Sequence, residues 1–174
     1  MADIKVKYPV TSSIDLTITL AALASGAAGV YTAGQESTAV DNTTNADLDH
    51  LVSGKIRTGT APTVSRSINV YAYANLSTTA GVPTYPDVLD GTDSVETFTS
   101  ANVQNNAVKF VASITVDATS DRDYFFGPVS VAGLFGGVMP KFWGLYVAHD
   151  TGVALNATGG NHKISYERIQ GQTV

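Results

Sequence analysis

The chain of 174 residues contains no cysteine. This absence excludes disulfide bonds, thiolate zinc sites and cysteine nucleophiles together. Charged residues are also scarce: they make up 14% of the chain, against 44% hydrophobic residues. Disordered chains combine high charge with low hydrophobicity. The sequence therefore predicts a folded protein that depends on its hydrophobic core and its assembly contacts for stability.

Positive charge and long apolar runs are missing as well. Ten Lys and Arg are scattered among fifteen Asp and Glu, for a net charge of −5, whereas nucleic-acid binders carry a basic stripe. The longest apolar stretch, residues 20–30, is interrupted by Ser25, Gly26 and Gly29 and is too short to cross a bilayer. Residues 1–5 lack the pattern of a signal peptide. We expect no direct nucleic-acid partner, no membrane partner and synthesis in a cytoplasm.

The residues that are abundant favour β-structure. Thr, Val, Ser, Asn and Gly suit strands joined by polar turns. Residues 14–20 alternate apolar and polar side chains, and residues 67–74 alternate β-branched and aromatic ones. Residues 20–29 are rich in alanine and predict at most one helical turn, since glycines interrupt them. Residues 102–106 predict a second helical turn.

The last third of the chain predicts a packed antiparallel hairpin. Its two arms are residues 142–149, which hold the single tryptophan, and residues 162–169. Eight or nine strands at the spacing seen along the chain indicate an all-β fold. We predict a single-domain antiparallel β-sandwich, jelly-roll-like, over residues 1–174, with an extended N-terminal arm at residues 1–10.

Catalytic signatures are lacking. The chain has no nucleophile elbow, no Walker loop and no dinucleotide fingerprint. Its three histidines, His50, His149 and His162, are expected to be polar residues at strand ends rather than a metal site. We therefore predict a protein that is not an enzyme and that uses no cofactor.

One acidic loop is a weak candidate for calcium. Asp87, Asp90 and Asp93 are spaced three residues apart around Gly91, and clustered carboxylates on a glycine-containing loop can hold Ca²⁺. Asx turns explain the same residues, and the spacing is not that of an EF-hand.

The aromatic residues leave a second alternative open. Tyr85 and Trp143 belong to a set that could stack on sugars, although core packing accounts for most of the set. A glycan ligand therefore remains an alternative for this sequence. If Trp143 belongs to the core, its replacement by alanine should cost about 3–5 kcal/mol.

Four segments carry a resemblance to a known family. They are residues 36–45 (ESTAVDNTTN), 51–63 (LVSGKIRTGTAPT), 126–131 (FGPVSV) and 156–162 (NATGGNH). Together they resemble small β-sandwich structural proteins of tailed bacteriophages, over roughly residues 14–170. The resemblance consists of strand and turn patterns, and it implies a virion component with no catalytic residues.

The resemblance implies a capsid decoration, or cement, protein on the capsid surface. Such a protein would bridge and stabilise subunits of the major capsid protein, would be synthesised in the host cytoplasm, and would form a dimer or trimer with itself. The alternatives are a tail or head-fibre accessory protein and a carbohydrate-binding module for host attachment. The expected contact surfaces are residues 1–8, 35–49 and 78–93. Within them the interface candidates are Lys5, Tyr8, Asn42, Asn45, Tyr85 and Pro86.

Overall fold

The computed structural model describes residues 4–8, 13–77 and 85–173, which form eleven strands and two short helices. The strands are β1 (Ile4–Lys7), β2 (Ile14–Asp15), β3 (Ala33–Glu36), β4 (Val40–Asp41), β5 (Asp49–Arg57), β6 (Ser67–Asn75), β7 (Val95–Thr97), β8 (Lys109–Thr115), β9 (Asp123–Ser130), β10 (Phe142–His149) and β11 (Lys163–Thr173). The helices are α1 (Ala101–Ala107) and α2 (Val131–Leu134), and a 3₁₀ turn spans Gly159–Asn161.

Two antiparallel sheets form a β-sandwich. The first sheet has the order β1-β11-β5-β9, with β2 also paired to β11, and the second has the order β7-β3-β10-β6-β8, with β4 also paired to β10. The main strands pair as first with last (β1 and β11), then β3 with β10, β5 with β9 and β6 with β8. Nested pairing of this kind is one long hairpin rolled into two sheets. The predicted all-β sandwich is confirmed.

The expected number of strands was too low. The structure has eleven strands among the described residues rather than eight or nine. The difference comes from β2, β4 and β7, which are two or three residues long and add to strands already paired on one side. Segments this short carry too little alternation to be recognised in a sequence.

The predicted C-terminal hairpin is wrong. The strands β10 and β11 have the expected positions but belong to different sheets, because β10 pairs with β6 over its whole length and β11 pairs with β5. Strand β10 is buried from Trp143 to His149. A nearly continuous apolar strand belongs at the centre of a sheet covered on both faces, not in a two-stranded hairpin.

The two faces of β10 lie in two separate hydrophobic clusters. Trp143, Leu145 and Val147 point between the sheets into the main core. Tyr146 and Ala148 point to the outer face of the second sheet, where Leu89, Phe98 and Val108 cover them. The segment from residue 85 to α1, apart from the edge strand β7 that it adds to the sheet, is thus a third layer over that sheet. Ser100 caps α1 by accepting a hydrogen bond from the Val103 amide, which explains the helical turn expected there.

The N-terminal half of the chain is less regular than its pattern predicted. Of residues 14–20, only β2 joins a ladder, although Leu16 and Leu20 still face the core. Residues 20–29 form turns rather than a helix, with Ala22 at φ 57° and Gly29 at φ 72°. Within the predicted N-terminal arm, residues 4–7 form the edge strand β1, and residues 1–3 and 9–10 lie outside the described residues.

Candidate functional site

One end of the sandwich carries an uncovered apolar surface, which we call the apolar end. It is formed by Leu48 before β5, Leu76 after β6 and Val138 before β10, whose exposed fractions are 53%, 70% and 73%. Leu48 and Val138 line one cleft of about 630 Å³, and Leu76 and Val138 line another of about 460 Å³. Since Val138 and Met139 border both clefts, the three side chains belong to one continuous surface.

The turn that presents Val138 is fixed by its backbone. Gly136 and Gly137 have φ values of 80° and 86°, and the Gly137 amide donates to the Ala132 carbonyl at 2.8 Å. This is the hydrogen bond of a Schellman turn, which ends α2 abruptly. Val138 therefore emerges from a defined turn as the most exposed large apolar residue of the apolar end.

The loop that presents Leu48 is organised by Asn42. The Asn42 side chain donates to the Asp47 carbonyl and accepts from the Asp47 amide, at 3.1 and 2.9 Å. Asn42 is only 7% exposed, so its side chain turns into the loop, and its place among the interface candidates stays a prediction. Short amide side chains in such loops bind their own backbone, which is why Asn42 turns inward. Asn45, on the same loop, is exposed as predicted.

A buried polar network lies directly beneath the apolar end. The Asp47 carboxylate, 1% exposed, accepts from Arg168 Nε at 2.7 Å and from Gln170 Nε2 at 2.8 Å. Its Oδ2 atom also lies 3.0 Å from His50 Nε2. Burial alone would raise the pKa of Asp47, but the hydrogen bonds from Arg168, His50 and Gln170 hold it below its usual value. The carboxylate is therefore ionised and joins the loop, β5 and β11.

His50 is the central residue of this network. Trp143 Nε1–H donates to His50 Nδ1 at 2.8 Å, so Nδ1 is unprotonated and the proton on Nε2 faces Asp47. Tyr166 stacks on the imidazole with ring centroids 4.7 Å apart. Burial lowers the pKa of His50, which favours the neutral ring. Both ring nitrogens are occupied and the residue is 1% exposed, so it links the two sheets and cannot pass protons to solvent.

The three histidines lie in three separate environments. His149 is also buried, with Nε2 donating to the Leu23 carbonyl at 3.0 Å and Nδ1 next to the Thr151 hydroxyl at 2.9 Å. His162 Nδ1 accepts a hydrogen bond from the Arg57 amide at 3.3 Å. All three histidines lie at or next to strand ends as expected, but His50 and His149 are also buried and are therefore core residues. Over residues 4–8, 13–77 and 85–173, no three His, Asp or Glu side chains converge as a metal site.

The calcium candidates are used for hydrogen bonds that hold the outer layer. Asp87 accepts from the amide and hydroxyl of Thr99, and Asp90 accepts from the Thr92 amide. Asp93 accepts from the Thr19 amide and hydroxyl. The structure does not bring the three carboxylates together around a common point.

A buried carboxylate that the sequence did not reveal lies under the same layer. Glu36 is fully buried on β3 and accepts from the amides of Asp90 and Gly91 at 3.1 and 2.7 Å. Burial raises its pKa, and the two amides partly oppose that effect. Glu36 therefore fastens the outer layer to the sheet. Its surroundings, Gln35-Glu36-Ser37, are polar in sequence and gave no signal of burial.

The remaining interface candidates divide into exposed and half-buried residues. Lys5 and Tyr8 are exposed, whereas Tyr85 and Pro86 are half-buried in the outer layer. The Tyr85 ring packs edge-on against Tyr73 at 5.9 Å between centroids. Residues 78–84 of the predicted contact loop lie outside the described residues.

Three rings of the aromatic set considered for sugar stacking belong to the core. Trp143, Tyr73 and Tyr146 are fully buried, so none of these rings is open to a ligand. Trp143 is thus a core residue, so the condition for a large cost of its replacement by alanine is met.

Comparisons with known proteins identify no relative. No family model, curated protein or solved structure matches this chain. None of the helices in the part of the chain that the structure covers has the length and apolar character needed to cross a membrane. The resemblance to phage structural proteins accordingly stays a prediction.

Proposed function

We propose that this protein is a non-enzymatic structural component of a bacteriophage virion that decorates the capsid and bridges subunits of the major capsid protein. The observation that carries the proposal is the apolar end, where Leu48, Leu76 and Val138 are left uncovered over a rigid, fully bonded polar network. Monomeric soluble proteins rarely expose contiguous apolar patches without using them for binding.

The form of the site favours a protein partner over a small substrate. The apolar end is open and shallow, and the titratable groups beneath it, Asp47 and His50, are already bonded to one another. A surface of this kind gains free energy by burial against another surface and needs no chemical step. Capsid cementing works in this way, because surface buried between neighbouring shell subunits resists their separation.

The proposal is tested with undecorated capsids of the phage that encodes the chain. Purified protein is mixed with capsids, bound protein is measured by co-sedimentation, and its position is determined by cryo-EM. We expect regular density on the capsid lattice and a higher melting temperature of the decorated shell. Density confined to the tail would make the protein a tail accessory instead, and absence from both would refute a virion role.

A pair of variants locates the contact surface. Leu48→Ser combined with Val138→Ser should weaken capsid binding by about tenfold or more, because two apolar contacts are lost. Val64→Ser is the matched control, since Val64 is 60% exposed and lies between the end of β5 and the start of β6, at the opposite end of the sandwich. Equal loss in the control would show that the apolar end is not the contact.

A further inference from the structure

The N-terminal and C-terminal strands form a two-stranded ribbon that extends beyond the sandwich. Strand β1 pairs only with residues 170–173 of β11, from Lys7 with Gln170 to Ile4 with Thr173. The pairing of β11 with β5 ends at Ile169, so no described strand flanks the ribbon on either side. We call residues 4–8 and 170–173 the terminal ribbon.

The ribbon leaves the side chains of residues 5–8 in solvent. Val6 and Tyr8 are 65% and 58% exposed, and the residue across from Val6 is Gly171, which has no side chain to cover it. Lys5 and Lys7 project from the opposite face of the strand and are exposed too. An isolated pair of strands is at best marginally stable in water. A further contact that buried these exposed side chains would therefore stabilise the ribbon.

The charge of the ribbon is opposite to that of the chain as a whole. Lys5 and Lys7 are the charged residues of the ribbon, in a protein with a net charge of −5. The outer-layer segment 85–97 carries four carboxylates and no basic residue. Within the described residues these four carboxylates form no ion pair; they are Asp87, Asp90, Asp93 and Glu96.

The acidic segment also ends in an open strand edge. Among the described strands, β7 pairs with β3 alone, and its Val95 is 65% exposed. An exposed edge is a template for another strand, and β1, four residues long against the three of β7, carries lysines on either side of Val6. Charge, apolar exposure and backbone pairing thus match between two surfaces of the same protein.

We propose that the terminal ribbon of one copy docks on the acidic edge β7 and segment 85–97 of a second copy. The contact joins two different surfaces, so it is heterologous, and repetition around an axis closes a ring such as a trimer. This self-association needs no capsid and stands apart from the proposed decoration function.

The test is sedimentation velocity of the full chain from low to about 100 μM, a range suited to micromolar Kd values. Wild-type protein should associate reversibly, and association should weaken when salt is raised to about 0.5 M, because exposed charges are screened. Lys5→Glu with Lys7→Glu should raise the Kd by about tenfold or more, since like charges then face each other. Lys109→Glu with Lys141→Glu makes the same charge change at exposed sites elsewhere and should leave the Kd unchanged.

A mixture of variants decides the pairing of surfaces. Asp90→Lys with Glu96→Lys should also prevent self-association, while mixing it with the Lys5→Glu and Lys7→Glu variant should restore mixed oligomers. Circular dichroism melts establish that each variant is folded. A monomeric wild type, or a mixture that stays monomeric, would overturn the proposal and make the two lysines guards of an exposed edge. Capsid binding by the monomeric variant would leave the decoration function intact.

Discussion

The two ends of the sandwich use buried carboxylates in different ways. At the apolar end, Asp47 is bonded to the side chains of Arg168, Gln170 and His50, and apolar residues lie outside this network. At the opposite end, Asp150 accepts from the backbone amides of Ser67 and Gly29 at 2.7 and 2.8 Å, and from Arg66 Nη1 at a longer 3.3 Å. Asp150 therefore holds the loops at its end of the sandwich by accepting hydrogen bonds from their backbone amides. Asp47 instead holds together the side chains beneath a surface that remains uncovered.

The largest expected effect comes from removing the residue that joins the two sheets at the apolar end. Trp143→Ala should lower the free energy of unfolding by about 3–5 kcal/mol, because a fully buried aromatic ring is lost and His50 loses its donor. Chemical denaturation followed by circular dichroism measures the change. Trp143→Phe is the control, since it keeps most of the ring and removes the N–H group. A loss of less than about 1 kcal/mol for the alanine variant would contradict the core role.

The two carboxylates should differ in a direct comparison. Asp47→Asn removes the counter-charge of Arg168, and we expect a loss of about 3 kcal/mol, the lower end for breaking a buried ion pair, because Arg168 keeps some contact with water. Asp150→Asn keeps one oxygen acceptor for the backbone and should cost about 1–2 kcal/mol. Equal losses in urea denaturation would mean that the two ends are held in the same way.

The smallest effect concerns pH. Burial lowers the pKa values of His50 and His149 in the folded protein, so the unfolded chain binds more protons as pH falls below the usual histidine value of about 6.5. Stability should therefore be lower at about pH 5.5 than at about pH 7.5. The pKa values of Asp47 and Asp150 are lowered too, so their contribution is lost only at more acidic pH, below the usual aspartate value.

The histidine responsible for the pH dependence can be identified by substitution. Protonation of His50 removes the acceptor of the Trp143 N–H, whereas protonated His149 can still donate to Thr151. The His50→Gln variant should thus show a flatter profile of unfolding free energy against pH than His149→Gln. An unchanged slope in His50→Gln would assign the dependence to His149 or His162, whose pKa values burial also lowers.

Local pattern predicted the β-class and much of the strand placement, because alternation and β-branched runs act within single segments. The span of β10 matches its sequence pattern, Phe142 to His149. Its partner could not be read in the same way, since sheet membership depends on contacts with β6, more than sixty residues earlier. The continuous apolar run of this strand nevertheless indicates a central strand rather than one arm of a hairpin.

The candidate site was less predictable than the fold. The network at the apolar end joins Asp47, His50, Trp143 and Arg168, which are far apart in sequence and meet only when both sheets have formed. Asn42 has the residue type of a contact loop, yet its geometry makes it a loop brace. Exposure of Val138 follows from the positive φ values of two glycines, which the sequence Gly136-Gly137 could have suggested.

The outer layer formed by residues 85–107 shields one face of the second sheet from solvent. Strand β10 has neighbours along both edges and dry clusters against both faces. Small local openings cannot expose such a strand, so its amide hydrogens exchange with solvent only when the whole sandwich comes apart. The slowest-exchanging amides of this protein therefore measure its global stability.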